Sequence, residues 1–337
     1  MEALPVDEIP LGDAWQYEPK WDGFRCLAFR EGAEVYLQSK AGQPLARYFP
    51  EMVEALRKVK ADSFLLDGEL AVPSDGGFSF DELLQRLHPA ASRVKKLSSA
   101  TPALLIVFDL LADIDGASLL ELALAERRPR LEAFARRFFK DPAHLRLSPA
   151  VTSIEAAREW LRNVGPTLDG IIAKRRDLPY RSGDRTGMQK IKNYRSADCV
   201  VGGFRYAAGQ QYVGSLLLGL YDEEGSLHHV GFTSGIKVAD RAALTGKLEA
   251  LIEQPGFTGR APGGPSRWAT GKSGDWKPLR ATLVVEVSYD HFTGGRFRHG
   301  TKLLRWRPDK APKQCTMDQV KRPPGDLLRL LEFPANA

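Results

Sequence analysis

The 337-residue chain changes texture close to residue 198, and that change constrains its fold more than any other feature. Before it, short β-like runs alternate with amphipathic helical stretches. After it, Cys199–Tyr206, Ser215–Asp222, His228–Thr233 and Ala281–His291 read as strands separated by Gly-rich turns, with one helix over Val238–Ile252. About five short strands and a helix form the pattern of an OB-fold β-barrel. The expectation is an α+β chain of two domains. Residues 1–195 hold antiparallel sheets with helices, and residues 196–337 hold the OB-fold.

Within the first part, Phe24–Phe29 and Glu34–Gln38 form a hairpin about Glu31-Gly32. Phe49–Lys60 reads as a helix with Met52, Val53, Leu56 and Val59 on one face. Phe64–Val72, Ala103–Leu110 and Gly170–Arg175 read as strands. Helices are expected over Ser79–Leu87, Leu119–Phe139 and Ser153–Val164. Ser79 followed by Glu82 has the capping-box spacing. Gly263–Pro278 reads as a loop.

Charge divides unevenly between the parts. Lys and Arg number 48 against 42 Asp and Glu, a net +6. Residues 1–195 hold 29 and 28, net +1, which leaves 19 and 14, net +5, for residues 196–337. A basic second part suits a nucleic-acid surface without proving one. Cys26, Cys199 and Cys315 are few and far apart, which argues against a disulfide framework or zinc knuckle. They suit a reducing, cytoplasmic setting. No apolar run reaches the ~20 residues of a membrane span, and MEALPVDEIP lacks the build of a secretory signal.

Chemistry concentrates in five segments. In Glu18-Pro19-Lys20-Trp21-Asp22-Gly23-Phe24-Arg25, Gly23 suits a tight turn, and Arg25 is placed to hold a phosphate or ribose. A lysine near another cation, or partly buried, has a lowered pKa and becomes a nucleophile; in isolation the same lysine is a solvated surface residue. Asp67-Gly68-Glu69-Leu70 delivers a carboxylate from an apolar strand, for a divalent metal or a ribose hydroxyl, or else forms a turn with solvated acids. Phe108-Asp109 ends another apolar strand, where Phe108 is either core or a stacking platform. Asp169-Gly170-Ile171-Ile172-Ala173-Lys174 opens on an acid and closes on a lysine. In Met188-Gln189-Lys190-Ile191-Lys192 the two lysines share a strand face and need an anion or open solvent between them.

Taken in order, KWDGFR, DGEL, FDLL, DGIIAK and MQKIK resemble the covalent nucleotidyltransferase superfamily of polynucleotide ligases and capping enzymes. Within it the chain is similar to ATP-dependent DNA ligases of the small bacterial type, including the ligase module of the bacterial end-joining ligase. Ser39-Lys40-Ala41-Gly42 through Tyr48-Phe49-Pro50-Glu51 fits the segment after the hairpin. Arg296-Phe297-Arg298-His299 and Arg305-Trp306-Arg307-Pro308-Asp309-Lys310 look like the last ligase motif.

The resemblance implies a nucleotidyltransferase domain of ATP-grasp-like antiparallel sheets, followed by the OB-fold. It implies a lysyl-AMP intermediate on Lys20, AMP transfer to a 5′-phosphate, and attack by a 3′-hydroxyl. It implies Lys190 and Lys192 on the α-phosphate, Glu69 and Asp169 on a divalent metal (Mg or Mn), and Arg25 on the ribose or nick phosphate. Phe108 would stack on adenine, with Glu18 at the adenine edge and Lys174 beside the nucleotide. Arg305, Arg307, Asp309 and Lys310 would orient pyrophosphate. Asp169 departs from the family, where Glu is common, and is one methylene shorter. Nicked duplex DNA and ATP are the implied partners, with repair proteins besides, in a monomer acting in DNA repair.

Other readings stay open. An RNA ligase or capping-type guanylyltransferase shares the chemistry, and a non-catalytic nucleic-acid-binding protein shares the folds. Gly202–Tyr206 is a DNA-backbone contact or a bulged strand. Lys272–Arg280, with Trp268 and Trp276, is a phosphate-binding loop or a linker. Arg127, Arg128, Arg130, Arg136 and Arg137 form a solvated helix face or a phosphate contact.

Overall fold

The computed structural model describes residues 1–74, 77–163, 167–263, 275–321 and 327–332. It divides into two compact units, one of residues 1–193 with 327–332 and one of Tyr194–Lys321.

The first unit opens with β1 (Leu4–Pro5), β2 (Trp15–Pro19), β3 (Phe24–Glu31), β4 (Glu34–Ser39), helix α1 (Pro50–Lys58) and β5 (Ser63–Ala71). The short strands β6 (Pro73–Ser74) and β7 (Gly77–Phe78), α2 (Phe80–Gln85) and α3 (Ala91–Ala100) lead to β8 (Leu104–Ala112). Then follow α4 (Leu124–Phe138), β9 (Leu145–Leu147), α5 (Ile154–Asn163), β10 (Gly170–Arg175) and β11 (Met188–Lys192). Two larger sheets result, of order β4-β3-β5-β8-β9 and β1-β11-β10-β2, beside the two-stranded β6-β7 pair.

The apolar run of β8 is buried almost throughout because both faces are covered: Leu105, Val107 and Leu110 join the core under α1, and Leu104 and Ile106 pack with Trp21 and Leu327. On one side, α1 buries Met52 and Leu56 in a core with Cys26, Leu37, Phe49, Leu66, Leu105 and Phe134. Each of the Leu, Phe and Met side chains among them contributes roughly 1.5–3 kcal/mol on burial. Ser79 caps α2, its Oγ accepting from Glu82 N at 3.2 Å.

Two features of this unit differ from the sequence reading. The helix expected from Leu119 starts at Leu124, and its basic run is only partly solvated. Arg127 is buried and grips Asp109 through two bonds of 2.9 Å, while Arg128 reaches Glu132 at 2.7 Å and Ser148 O at 2.8 Å. Arg130, Arg136 and Arg137 face solvent. The sequence reading also had no helix at Ala91–Ala100, whose core-facing signal is a single buried residue, Val94.

The second unit holds β12 (Arg195–Tyr206), β13 (Val213–Tyr221), β14 (Leu227–Thr233), α6 (Arg241–Glu249) and β15 (Lys277–Pro278). It continues with β16 (Val284–Tyr289), β17 (Phe292–Thr293), β18 (Arg296–Phe297) and β19 (Lys302–Trp306). The main sheet runs β14-β13-β12-β16-β19, every pair antiparallel. Its two edges meet: Thr301 N donates to Phe232 O at 3.1 Å and Thr233 Oγ1 to Thr301 O at 2.9 Å. This mostly antiparallel arrangement with one helix is consistent with the expected OB-fold. A register shift between Val201 and Gly203 makes the Gly202-Gly203 segment a bulge. The helix expected over Val238–Ile252 is a 3₁₀ turn at Val238–Asp240 followed by the shorter α6. Trp268 and Lys272 of the loop lie outside the described residues.

The sequence reading gave all of residues 196–337 to the second domain. Leu327, Leu330 and Leu331 instead bury against Trp21, Ala71 and Ile106 in the first unit, which supplies the apolar partners they need.

Candidate active site

The five segments converge because strand register brings them together. Pro19 of β2 pairs with Ile171 of β10, so Lys20 N donates to Gly170 O at 2.9 Å and Asp169 stands beside Lys20. Gly170 has φ +144°, and a Cβ there would come within 1.9 Å of Ile191 O. Glycine alone lets β10 lie this close to β11. Gly23 answers a different need from the tight turn read in the sequence: a Cβ would meet Leu70 O at 2.1 Å and Glu69 Cγ at 2.9 Å. Its missing side chain lets the Lys20 loop close onto β5.

Glu18, Lys20, Arg25, Glu69, Phe108, Lys174 and Lys190 line one cavity of about 260 Å³. A larger cavity of about 620 Å³ over β3 and β4 includes Tyr36 and Phe64 but none of these residues. The smaller one is therefore where the chemistry gathers.

Buried Lys174 donates to Glu18 Oε2 at 2.7 Å, and Gln16 Nε2 donates to Glu18 Oε1 at 2.8 Å. Lys174 Nζ also lies 4.4 Å from the Phe108 ring centroid, and the Arg25 guanidinium lies 5.6 Å from it. Phe108 thus stands in the cavity wall between cations, half-buried.

Arg25 pairs with Asp67 rather than with Glu69, its direct cross-strand neighbour. Its Nε and Nη2 donate to the two Asp67 oxygens at 3.0 and 2.5 Å, and its Nη1 donates to Met1 O at 2.6 Å. Asp67 is fully buried, so this bidentate pair fixes the guanidinium plane.

Lys20 Nζ lies 3.2 Å from Asp169 Oδ2. The sequence expectation of a lowered Lys20 pKa is reversed here. Burial pulls it down, but the charges of Asp169 and Asp22, the Asp169 hydrogen bond and Glu69 together hold it above the ordinary lysine value. Glu69 is pushed up to about 8, chiefly by burial, with Lys20 and Arg25 opposing. Lys190 is lowered by burial and then by Lys192, Lys20, Lys40 and Arg185. That is the like-charge crowding expected of two lysines on one face of β11. Lys192 lies opposite Gly170 and is not among the cavity-lining residues.

Glu69 and Asp169 offer carboxylate oxygens, the donors hard divalent cations prefer. The burial strain on ionised Glu69 is what a nearby cation relieves. Both residues have the donor chemistry for such an ion, with Asp169 held by Lys20 at 3.2 Å.

Arg305, Arg307 and Lys310 belong to the second unit, where acids hold them. Arg305 Nε donates to Glu286 at 2.7 Å, Arg307 Nη1 to Asp198 Oδ1 at 2.9 Å and Arg307 Nη2 to Asp309 at 2.9 Å. Lys310 Nζ lies 3.4 Å from Asp198 Oδ2.

The sequence reading passed over some participants. Asp67 was named within its segment but given no role of its own, although period-two alternation puts it on the face of Glu69. Tyr180, whose hydroxyl donates to Asp67 Oδ2 at 2.9 Å, lies in a loop with no such signal. Glu2, which pairs with Lys40 at 3.1 Å and Arg185 at 2.8 Å at the cavity edge, also had none.

Known proteins match both parts. Residues 7–192 match the family model of the ATP dependent DNA ligase domain, and residues 209–310 that of the ATP dependent DNA ligase C terminal region. DNA ligase C2 of Mycolicibacterium smegmatis is 42% identical, covering 96% of this chain and 94% of the relative. DNA ligase C of Mycobacterium tuberculosis is 41% identical, covering 96% and 93%. A solved structure of a Lig E DNA ligase, 17% identical, shares the fold with a TM-score of 0.53, covering 91% of this chain and all of that one.

Proposed function

The chain belongs to the ATP-dependent DNA ligase family, and on that premise we propose which of its residues carry each step of strand joining. The observation that carries the reading is the convergence of Lys20, Glu18, Phe108, Lys174 and Lys190 on one cavity. In the first step the neutral Lys20 amine attacks the α-phosphorus of ATP, the P–N bond forms, and pyrophosphate leaves. In the second, a 5′-phosphate oxygen at the nick attacks that phosphorus and the lysine amine leaves. In the third, the 3′-hydroxyl attacks the 5′-phosphate and AMP leaves.

Each transfer builds negative charge at phosphorus, so cations and in-line placement supply the rate. Lys190 and Lys192 neutralise the α-phosphate. Their mutual repulsion is relieved when an anion sits between them. Phe108 stacks on the adenine, and the Glu18–Lys174 pair presents a fixed polar edge beside it. Arg25 meets the ribose or the nick phosphate. Glu69 and Asp169 hold a divalent metal, Mg or Mn, which supplies positive charge against the phosphates.

The parts divide the work: the unit of residues 1–193 with 327–332 is the adenylation domain, and Tyr194–Lys321 is the OB-fold domain. Arg305, Arg307 and Lys310 orient the leaving pyrophosphate, having first exchanged their acid partners for it. The net +5 of the second part supports a DNA-facing role there. Among the described residues no helix is long and apolar enough to cross a membrane. A cytoplasmic monomer that seals nicks in DNA repair, with repair proteins as partners, completes the reading.

The test is sealing of a labelled nicked duplex by the purified chain with ATP or GTP. Sealing with ATP alone supports the reading, and a covalent GMP adduct overturns it.

A further inference from the structure

Tyr180 lies outside the charged sequence motifs and is not among the cavity-lining residues, yet its hydroxyl closes the bonding around Arg25. It donates to Asp67 Oδ2 at 2.9 Å and accepts from Arg25 Nη2 at 3.2 Å. Asp67 Oδ2 therefore holds two donors and Oδ1 one. The three groups form a closed ring in which each fixes the other two. The phenol is itself anchored. Tyr180 N donates to Leu120 O at 2.8 Å, and the ring packs 5.8 Å from the guanidinium of Arg127, which grips Asp109. Asp109 is the residue after Phe108, so Tyr180 ties Arg25 to the strand that carries Phe108.

Without the hydroxyl, Arg25 would keep its two bonds to Asp67 and its Nη1 bond to Met1 O, but Asp67 Oδ2 would lose the donor that holds it from the other side. The Asp67 carboxylate could then tilt, and the guanidinium bound to it would tilt with it, shifting the aim of the Arg25 N–H groups not taken up by Asp67 and Met1 O. An interaction lost by about 1 Å at a reacting group costs far more than one lost in packing.

We propose that Tyr180 is a positioning residue that acts through Asp67 to aim Arg25 at the substrate. The proposal rests on reading Arg25 as substrate-facing in the ligase reaction.

The test is a double-mutant cycle on nick sealing, with kcat and KM for nicked duplex measured for wild type, Tyr180→Phe, Arg25→Ala and the pair. Tyr180→Phe should lower kcat/KM about tenfold, the scale of one hydrogen bond to a charged group, while the melting midpoint stays close to wild type. In the Arg25→Ala background the same change should cost less than about twofold. Asp67→Asn, which breaks the ring from the other side, should lose its effect in that background too. An equal loss with and without Arg25 overturns the proposal, because it marks a role independent of Arg25. Full activity in Tyr180→Phe beside a crippled Arg25→Ala overturns it as well and leaves the reading of Arg25 standing. Full activity in Arg25→Ala overturns that reading, and the proposal with it.

Discussion

Lys20 Nζ and Asp169 Oδ2 lie 3.2 Å apart, and this contact sets the protonation of the candidate nucleophile. A lysine this buried would lose its proton more readily than usual, but Asp169, with Asp22 and Glu69 behind it, outweighs burial. Lys20 is thus stored as an ammonium. On the proposed reading, engaging that carboxylate elsewhere makes the amine available as the nucleophile.

In metal-free protein, Asp169→Asn should therefore leave burial dominant and lower the Lys20 pKa. More free amine is then present at any given pH, and acylation of Lys20 by an amine reagent should begin at lower pH than in wild type. Peptide mass mapping across a pH series measures it. An unchanged pH dependence contradicts the electrostatic account.

Lys174 and Glu18 form a buried pair at 2.7 Å with exposures of 5% and 3%. Lys174→Met leaves Glu18 buried without its cation and should cost about 3–5 kcal/mol in urea unfolding. The double change Glu18→Leu with Lys174→Met should recover most of that stability without recovering adenylation. Recovery of both would mean that the pair has no part in nucleotide binding.

Gly23→Ala places a Cβ 2.1 Å from Leu70 O, a backbone atom that cannot swing aside. The Lys20 loop must then lift off β5. We expect adenylation to fall below detection and stability to drop by about 1–3 kcal/mol, read as labelling and melting midpoint together. A stable variant that labels normally would show that the close approach is dispensable.

In the second unit, His229 is buried, and its pKa is lowered from 6.5 to about 4 by burial and then by Arg296, Arg205 and Arg260. The folded form thus binds its proton more weakly than the unfolded chain. Its stabilising contribution is complete above pH 6.5 and disappears as pH falls to about 4, a span worth about 3 kcal/mol. Urea titrations of wild type and His229→Gln between these limits should show a shallower acid loss in the variant. Parallel curves would assign the acid sensitivity to other groups.

The sequence disclosed those parts of the site that lie on contiguous strands. The Lys20 segment joins β2 to β3, and DGEL, FDLL, DGIIAK and MQKIK each occupy one strand, so spacing carried the order of residues in space. Partner choice was not legible. Arg25 takes the diagonal Asp67 over the opposite Glu69, which only the register of β3 on β5 reveals. Arg127 and Arg128 read as part of a solvated run, because helix spacing alone does not say that Asp109 and Ser148 face them. The sign of the Lys20 shift was missed for a similar reason: Asp169 is distant in sequence, and β2–β10 pairing brings it close. Tyr180 acts from a loop, where no periodicity marks a functional residue.

Peptide-resolved mass analysis after incubation with ATP and Mg²⁺, on wild type and Lys20→Arg, tests the central claim most directly. The account predicts the added mass of one adenylate on the peptide containing Lys20, and none anywhere in Lys20→Arg. An adenylate on another residue, or equal labelling of the variant, would contradict it.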